Sequence, residues 1–359
     1  MIPMTAVTRE SLDVFVVQVL RAMGLPHEEA EIFGGALVFS ELRFHPGHGQ
    51  GVKKLRKYGE RFAQGHIDPS APWEVVKESP ALALVDAHNG IGTVAATRAM
   101  RLAIEKAKVC GIGQVVVRNS THFGSSAVHA CLAPDAGCVG IALTNAGPEM
   151  APWGAREGAV GTNPWGIAAP TGLGFPAVLD IALTTAGKGM MTWHAAEGRS
   201  MPRDWALTPE GEETDDPRAA MAGALLGIGG YKGYGLAFMT DVLTGVISGS
   251  GYGLTPYSTL ERMDVSHTLT AIDIEWFMPL EEFRTRMDDF AAMVKSRALR
   301  PGFEEVLIPG EQEARRVARK SKVGVPLEDP ALDDLRALAT ELGVAADLVV
   351  VGPWEDTTL

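Results

Sequence analysis

Disulfide chemistry has little to work with in this sequence. Its three cysteines, Cys110, Cys131 and Cys138, form no C-x-x-C pair and are odd in number, so they read as reduced thiols of a cytoplasmic protein. Long apolar runs are missing as well. No window approaches 18 uninterrupted apolar residues, which excludes a membrane-spanning helix. The opening residues, MIPMTAVTRESLDVF, lack a basic stretch followed by an apolar core and do not read as a secretory signal. Positive charge is in deficit: 32 Lys and Arg stand against 44 Asp and Glu, a net charge of −12, which argues against nucleic-acid or anionic-membrane partners. The basic tract EARRVARKSK (313–322) has helical spacing and reads as a solvated face. There is no G-x-S-x-G, no Walker-type P-loop and no internal repeat, so acyl transfer and nucleotide hydrolysis find no support.

What is present is an ordinary globular composition, 46% hydrophobic and 21% charged. Residues 8–39 read as two helices joined at Gly24-Leu25-Pro26, the first capped by Thr8 with Leu12, Phe15, Val16 and Val19 on one face. A third helix is expected over 51–64, then the strand ALALV, a helix over 93–109 and the strand QVVVR. From about residue 124 to 253 the texture changes. Short apolar runs, VGIALT and AVLDIAL among them, alternate with Gly-, Pro- and Asn-rich turns, the pattern of a mixed or antiparallel sheet. A helix near 235–248, a strand in LTAIDIEWFM, and amphipathic helices over 280–320 and 331–343 complete the reading. The helical N- and C-terminal parts are expected to pack together, with the glycine-rich middle inserted between them.

DAHNGIGTVAATRAM (86–100) carries Gly90, Gly92 and Ala95 at the G-x-G-x-x-A spacing of a Rossmann turn. A Rossmann domain needs an acidic residue at the end of the next strand, and here that strand ends in Arg118-Asn119. Arg118 could pair with a 2′-phosphate, but no series of alternating strands and helices follows to build the doubly wound sheet. The stretch is therefore expected to be a tight strand-to-helix turn with close packing at Gly92.

Four stretches concentrate polar groups among turn residues. RFHPGHGQGVKK (43–54) sets His45 and His48 beside Lys53 and Lys54. Proton exchange at His48 with a lysine holding a carboxylate is one reading, and a metal site at the two histidines is the other. RNSTHFGSSAVHA (118–130) places Ser120, Thr121 and His122 where a strand ends, suited to cradling phosphate, although His122 could equally be a structural histidine. LTNAGPEMAPWGAREGAVGTNPWGIAAP (143–170) ends two strands in Thr144-Asn145 and Thr162-Asn163, whose turns would leave backbone amides free for a ligand. Ten residues on, Asp180 interrupts an apolar strand, where a carboxylate must be paired or bonded. LLGIGGYKGYGLAFMTDVL (225–243) runs from a glycine-rich turn with Lys232 and Gly233 into a helix, a geometry suited to a diphosphate.

In this order and spacing the stretches resemble the type-2 malate/L-lactate dehydrogenase family, which includes ureidoglycolate dehydrogenase, sulfolactate dehydrogenase and the Δ1-piperideine-2-carboxylate reductases. The resemblance covers residues 8 to 345. It rests on R-x-x-x-x-H-G at Arg43–Gly49, THFG around His122, TNAGPEMAPWG, GTNPWGIAAP, LDIALT, MPRDWALT, TDDP, YKGYGLAF and LIPGEQE. It implies an α/β, non-Rossmann fold: a helical domain of 5–122 with 285–345, holding an inserted mixed or antiparallel NAD(P)-binding domain over 123–284. The implied activity is hydride transfer between NAD or NADP and a 2-oxo acid, with a cyclic 2-imino acid reductase and a non-catalytic nucleotide-binding relative as alternatives. Implied cofactor contacts are Ser120, His122, Thr144, Asn145, Ala146, Asp180, Ile181, Ala182, Lys232, Gly233, Gly310, Glu311 and Gln312. His48 or His122 would donate the proton, Asp180 would orient the imidazole or the nicotinamide, and Lys54 or Lys53, with Thr162, would hold the substrate carboxylate. No metal is implied, and a homodimer is. Two positions depart from the family pattern. Gly47 replaces the usual serine before the histidine. Val52 stands where the carboxylate arginine is expected, which an alignment on Tyr58 transfers to Lys54.

Overall fold

Thr8 opens the first helix, α1 (Arg9–Ala22), by accepting the Ser11 N–H on its hydroxyl at 3.3 Å, and Leu12, Phe15, Val16 and Val19 are buried on the face their period defines. The computed structural model describes residues 3–44, 49–259 and 261–354. Gly24, left-handed at φ 96°, turns the chain into α2 (His27–Arg43). A 3₁₀ turn at Val52–Lys54 leads into α3 (Leu55–Ala63). Before α1 comes a short strand, β1 (Met4–Val7), and after α3 come β2 (Glu74–Glu78), β3 (Leu82–Asp86), α4 (Gly92–Cys110), β4 (Ile112–Ser120) and α5 (Ser126–Ala130). The middle of the chain forms β5 (Cys138–Thr144), β6 (Trp165–Ala169), β7 (Ala177–Ile181), α6 (Lys188–Ala196), α7 (Pro217–Ala222) and α8 (Tyr231–Asp241), which widens into a π turn at Val242–Val246. The last elements are β8 (Val265–Asp273), α9 (Leu280–Lys295), α10 (Glu311–Val323), β9 (Val325–Glu328), α11 (Asp329–Glu341) and β10 (Val350–Pro353).

The two ends of the chain meet in a three-stranded sheet, β10-β1-β9, covered by the apolar faces of α1, α2 and α11. The basic tract at 313–322 is only partly a solvated face. Lys320 of α10 is 2% exposed and donates to the carbonyls of Glu41 and Phe44 at 2.8 Å each, closing the C-terminal end of α2.

A seven-stranded mixed sheet forms the rest, in the order β2-β3-β4-β8-β5-β6-β7, with β3 and β4 its one parallel pair among the described residues. β8 begins at Val265, four residues before the expected strand, and ends at Asp273, whose carboxylate accepts the Glu275 N–H and starts a 3₁₀ turn. It lies between β4 and β5, which are consecutive in sequence, and pairs antiparallel with both. The sheet therefore runs continuously across residues 122 and 123, the expected domain border.

The turn at Gly90–Gly92 is closed. The Thr121 hydroxyl donates to the Gly90 carbonyl at 2.9 Å and accepts the Gly92 N–H at 3.0 Å, and a Cβ on Gly92 would overlap the Thr121 carbonyl. Arg118, at the end of β4, pairs with Asp86 at 2.8 Å. Neither the turn nor the arginine is open to a phosphate. Gly92→Ala should lower stability in chemical denaturation by about 1–3 kcal/mol or more, since a backbone carbonyl must move. Wild-type stability would refute the closed turn.

Candidate active site

Strand directions decide where the functional residues gather. β3, β4, β5 and β7 run one way and β2, β8 and β6 the other. The carboxyl ends of β4, β5 and β7 and the amino end of β6 thus share one edge of the sheet. His122 follows β4, Ala146 follows β5, Thr162 precedes β6, and Asp180, Ile181 and Ala182 close β7. All of them line a cleft of about 790 Å³ whose opposite wall carries Lys54, Lys57, Tyr58 and Arg61 of the 3₁₀ turn and α3. That volume lies within the usual range for small-molecule and cofactor sites.

His122 is held by its own turn: Nδ1 accepts the Gly124 N–H at 3.0 Å, which leaves the ring proton on Nε2. Burial holds its pKa well below 6.5, with the charges of Lys54, His267, Arg61 and Lys57 adding to the effect. The resting ring is a neutral N–H donor. Lys54 reaches Gln50 Oε1 at 2.6 Å and has no carboxylate partner among the described residues. Burial, then repulsion from Lys57, Arg61 and Lys53, pushes its pKa down to about 8. Asp180 accepts the Ala127 N–H at 3.0 Å, at the first turn of α5, and makes no bond to a histidine or lysine among the described residues. Burial raises its pKa to about 6 against the opposing pull of the Ala127 N–H, Arg43 and the Ser126 N–H. The hydroxyls of Ser126 and Thr184, both residues of the cleft wall, are buried and have no partner among the described residues.

Several expected residues lie elsewhere. Ser120 and Thr144 are buried behind the cleft, their hydroxyls each 2.8 Å from a nitrogen of the His267 ring. Asn145 donates to Asp241 and to the Gly251 carbonyl and accepts the Ser266 N–H, so its polar groups are consumed inside the fold. Asn163 likewise accepts the Ala146 N–H and donates to the Ala237 carbonyl, fastening α8 to the sheet. Lys53 faces Glu328 at 3.8 Å, away from the cleft. Lys232 is exposed on α8, and Gly233 is packed against backbone of Ile228 and Leu183. Gly310 packs on Val178, and Glu311, next to Gln312, is paired with Lys295 and Arg315. His45 and His48 lie outside the described residues. Lys57 and Arg61 were not singled out by chemistry, although their spacing from Lys54 at i+3 and i+7 marks a shared helix face.

The fold defines the class. It matches the crystal structure of malate dehydrogenase from Entamoeba histolytica with a TM-score of 0.91 at 28% identity, over 95% of this chain and 99% of that one. This is an α/β dehydrogenase fold with a mixed, largely antiparallel sheet in place of a Rossmann domain. Residues 7–336 match the malate/L-lactate dehydrogenase family model, and the chain belongs to that family. It is 37% identical to a malate dehydrogenase of Pyrococcus abyssi, over 94% of this chain and 95% of the relative. It is 35% identical to an L-sulfolactate dehydrogenase of Methanocaldococcus jannaschii, over 92% and 95% respectively. The protein is a 2-hydroxy acid dehydrogenase, an oxidoreductase of small carboxylic acids dependent on a nicotinamide cofactor.

The lowered pKa of Lys54 has a chemical readout. At pH 8 about half of its side chain is neutral amine, roughly a hundredfold more than for an ordinary lysine near 10.5. A limiting dose of an amine-acylating reagent at pH 8 should modify Lys54 before the exposed Lys57, as followed by peptide mass spectrometry. A Lys54 modification rate that titrates with pH around 10.5 instead of around 8 would show that Lys54 is solvated like any surface lysine.

Proposed function

We propose that this cleft interconverts a 2-hydroxy acid and its 2-oxo acid, with the substrate seated between α3 and the loop that follows β4. One observation carries the reading: a neutral imidazole that presents Nε2–H and a carboxylate-free ammonium line the same cleft. Lys54 holds the substrate carboxylate, as a point charge rather than a bidentate fork. His122 donates a hydrogen bond from Nε2 to the oxygen on C2, and the bound substrate anion, by offsetting the α3 cations, lets the ring take up a proton as imidazolium, which passes to that oxygen during reduction and leaves the neutral ring again. The cofactor, when bound, supplies or takes the hydride. Its site is fitted by the volume of the cleft and by the unpartnered hydroxyls of Ser126 and Thr184, and Ala146, Asp180, Ile181, Ala182 and Thr162 would complete it. Asp180 keeps α5, and so Ser126, at the cleft wall through the Ala127 N–H. NAD and NADP both remain candidates, and the substrate is a small carboxylate.

His122→Ala should lower turnover of a 2-oxo acid by about 10²–10⁴-fold while NADH or NADPH binding, followed by fluorescence, is kept. His48→Ala is measured beside it. If His122→Ala turns over like wild type while His48→Ala does not, His48 is the donor and this assignment fails.

We propose further that the protein works as a homodimer in the cytoplasm, paired through α8. This helix is polar toward the sheet, where Asn163 and Trp165 bind it, and apolar toward solvent: Phe238 is 51% exposed and Ile247 59%, with Leu236, Met239, Leu243 and Val246 beside them. Sedimentation should give a dimer for wild type and a monomer for Phe238→Glu with Ile247→Glu. A monomeric wild type at micromolar concentration would refute the pairing.

A further inference from the structure

Six non-glycine residues among those described have positive φ: His88, Asn89, Asn119, Asn163, Asp264 and Tyr257. The first five are of the side-chain types that tolerate left-handed backbone, and a bulky aromatic is not. Tyr257, at φ 61°, is third in the turn Thr255-Pro256-Tyr257-Ser258, which the Ser258 N–H closes on the Thr255 carbonyl at 3.1 Å. Proline in second place with positive φ in the third is the type II pattern, and glycine or asparagine is the favoured third residue. The surroundings hold the tyrosine there. Its N–H donates to the Met263 carbonyl at 2.8 Å, its side chain packs on the N-terminal core, and a Cβ on Gly147 would stand 3.3 Å from its ring.

Packing accounts for the ring and leaves the hydroxyl unexplained. Tyr257 lines the cleft, and its hydroxyl makes no hydrogen bond among the described residues. Burial, then the Tyr58 hydroxyl, raises its pKa, so the phenol keeps its proton and remains a donor. The Arg61 charge acts on this hydroxyl and on Lys54 alike, which sets both groups at the α3 wall. A strained backbone that presents an unpaired donor to a cavity is the mark of a functional side chain. Lys54 alone also leaves a task undone. An ammonium attracts a carboxylate without fixing its rotation, whereas a phenol on a tied turn offers one directed bond. Resting on the proposed 2-oxo acid reading, we infer that Tyr257 is a substrate-binding residue, its hydroxyl donating to the carboxylate that Lys54 attracts and so turning C2 toward His122. The loop between the π turn and β8 thereby enters the site.

The test uses the whole protein with a panel of 2-oxo acids, and NADH and NADPH separately. Tyr257→Phe keeps the ring and removes only the hydroxyl. It should lower kcat/KM about 10- to 100-fold, mainly through KM, the range expected for a hydrogen bond to a charged group. Its melting temperature and its affinity for NADH and NADPH, followed by fluorescence, should match wild type. Tyr257→Asn places at the turn a residue that the turn prefers, so it should fold and lose at least as much. Wild-type kcat/KM in either variant would overturn the inference and leave the dehydrogenase reading standing. Weaker cofactor binding in Tyr257→Phe with an unchanged substrate KM would assign the hydroxyl to the cofactor and overturn it too. A wild type that turns over none of the panel would remove the 2-oxo acid reading and this inference with it.

Discussion

The site depends on a single buried imidazole. His267, in the central strand β8, lies with Nε2 2.8 Å from the Ser120 hydroxyl at the end of β4 and Nδ1 2.8 Å from the Thr144 hydroxyl at the end of β5. Its ring stacks on Phe123 at 4.9 Å, and His129 packs on the other contact of that phenyl ring at 4.7 Å. Burial, before any neighbouring charge, pushes the His267 pKa down to about 3, so the ring stays neutral and can satisfy both hydroxyls at physiological pH. Because β8 separates two strands consecutive in sequence, the chain leaving β4 and the chain leaving β5 emerge apart, and the space between them becomes the cleft. Without this fastening, Phe123 loses its support and His122, its neighbour, loses a fixed position.

That arrangement explains which parts of the fold were legible in the sequence. Local physics was readable: the Thr8 cap, the glycine turn at Gly24 and the apolar period of α1 depend on residues near one another in the chain, and the tight packing at Gly92 was read from its glycine spacing although its partner, Thr121, is 29 residues away. The family resemblance added the fold class and brought together Lys54, His122, Ala146, Thr162 and Asp180. Long-range pairing was not readable. Whether Ser120 and Thr144 face a ligand or a neighbour is decided by His267, more than a hundred residues downstream and before the strand expected from the sequence. The pairing of β4 with β8, on either side of the expected domain border, is of the same kind, since nothing near residue 122 reveals it.

The asparagines make a related point. Asn145 and Asn163 sit in turns rich in glycine and proline, a composition equally suited to binding a ligand or tying a helix down. In the fold they do the second: Asn163, in left-handed backbone at φ 36°, bonds Ala146 and Ala237, and Asn145 holds the segment after α8. Polar anchoring on the inner side frees the outer face of α8 to be apolar. The hydrophobic sequence GLAFMTDVLTGVIS was legible as a helix, but the outward direction of its apolar face was not, because composition does not say which side packs on the sheet.

A net charge of −12 is a poor starting point for a protein that binds anions, yet distance limits its influence. Exposed charges are screened within about 10 Å at ordinary salt, whereas the α3 cations act at short range across the cleft they line. The same cations that attract an anion hold down the proton affinity of His122, and they hold down that of Lys54 as well. An anion seated among them cancels part of that field and raises both affinities. Linkage makes the effect reciprocal: an anion that favours the protonated cleft is itself bound more tightly when the cleft is protonated. Anion charge and cleft protonation are therefore one equilibrium here, and under the proposed assignment the His122 imidazole becomes easier to charge when the substrate arrives.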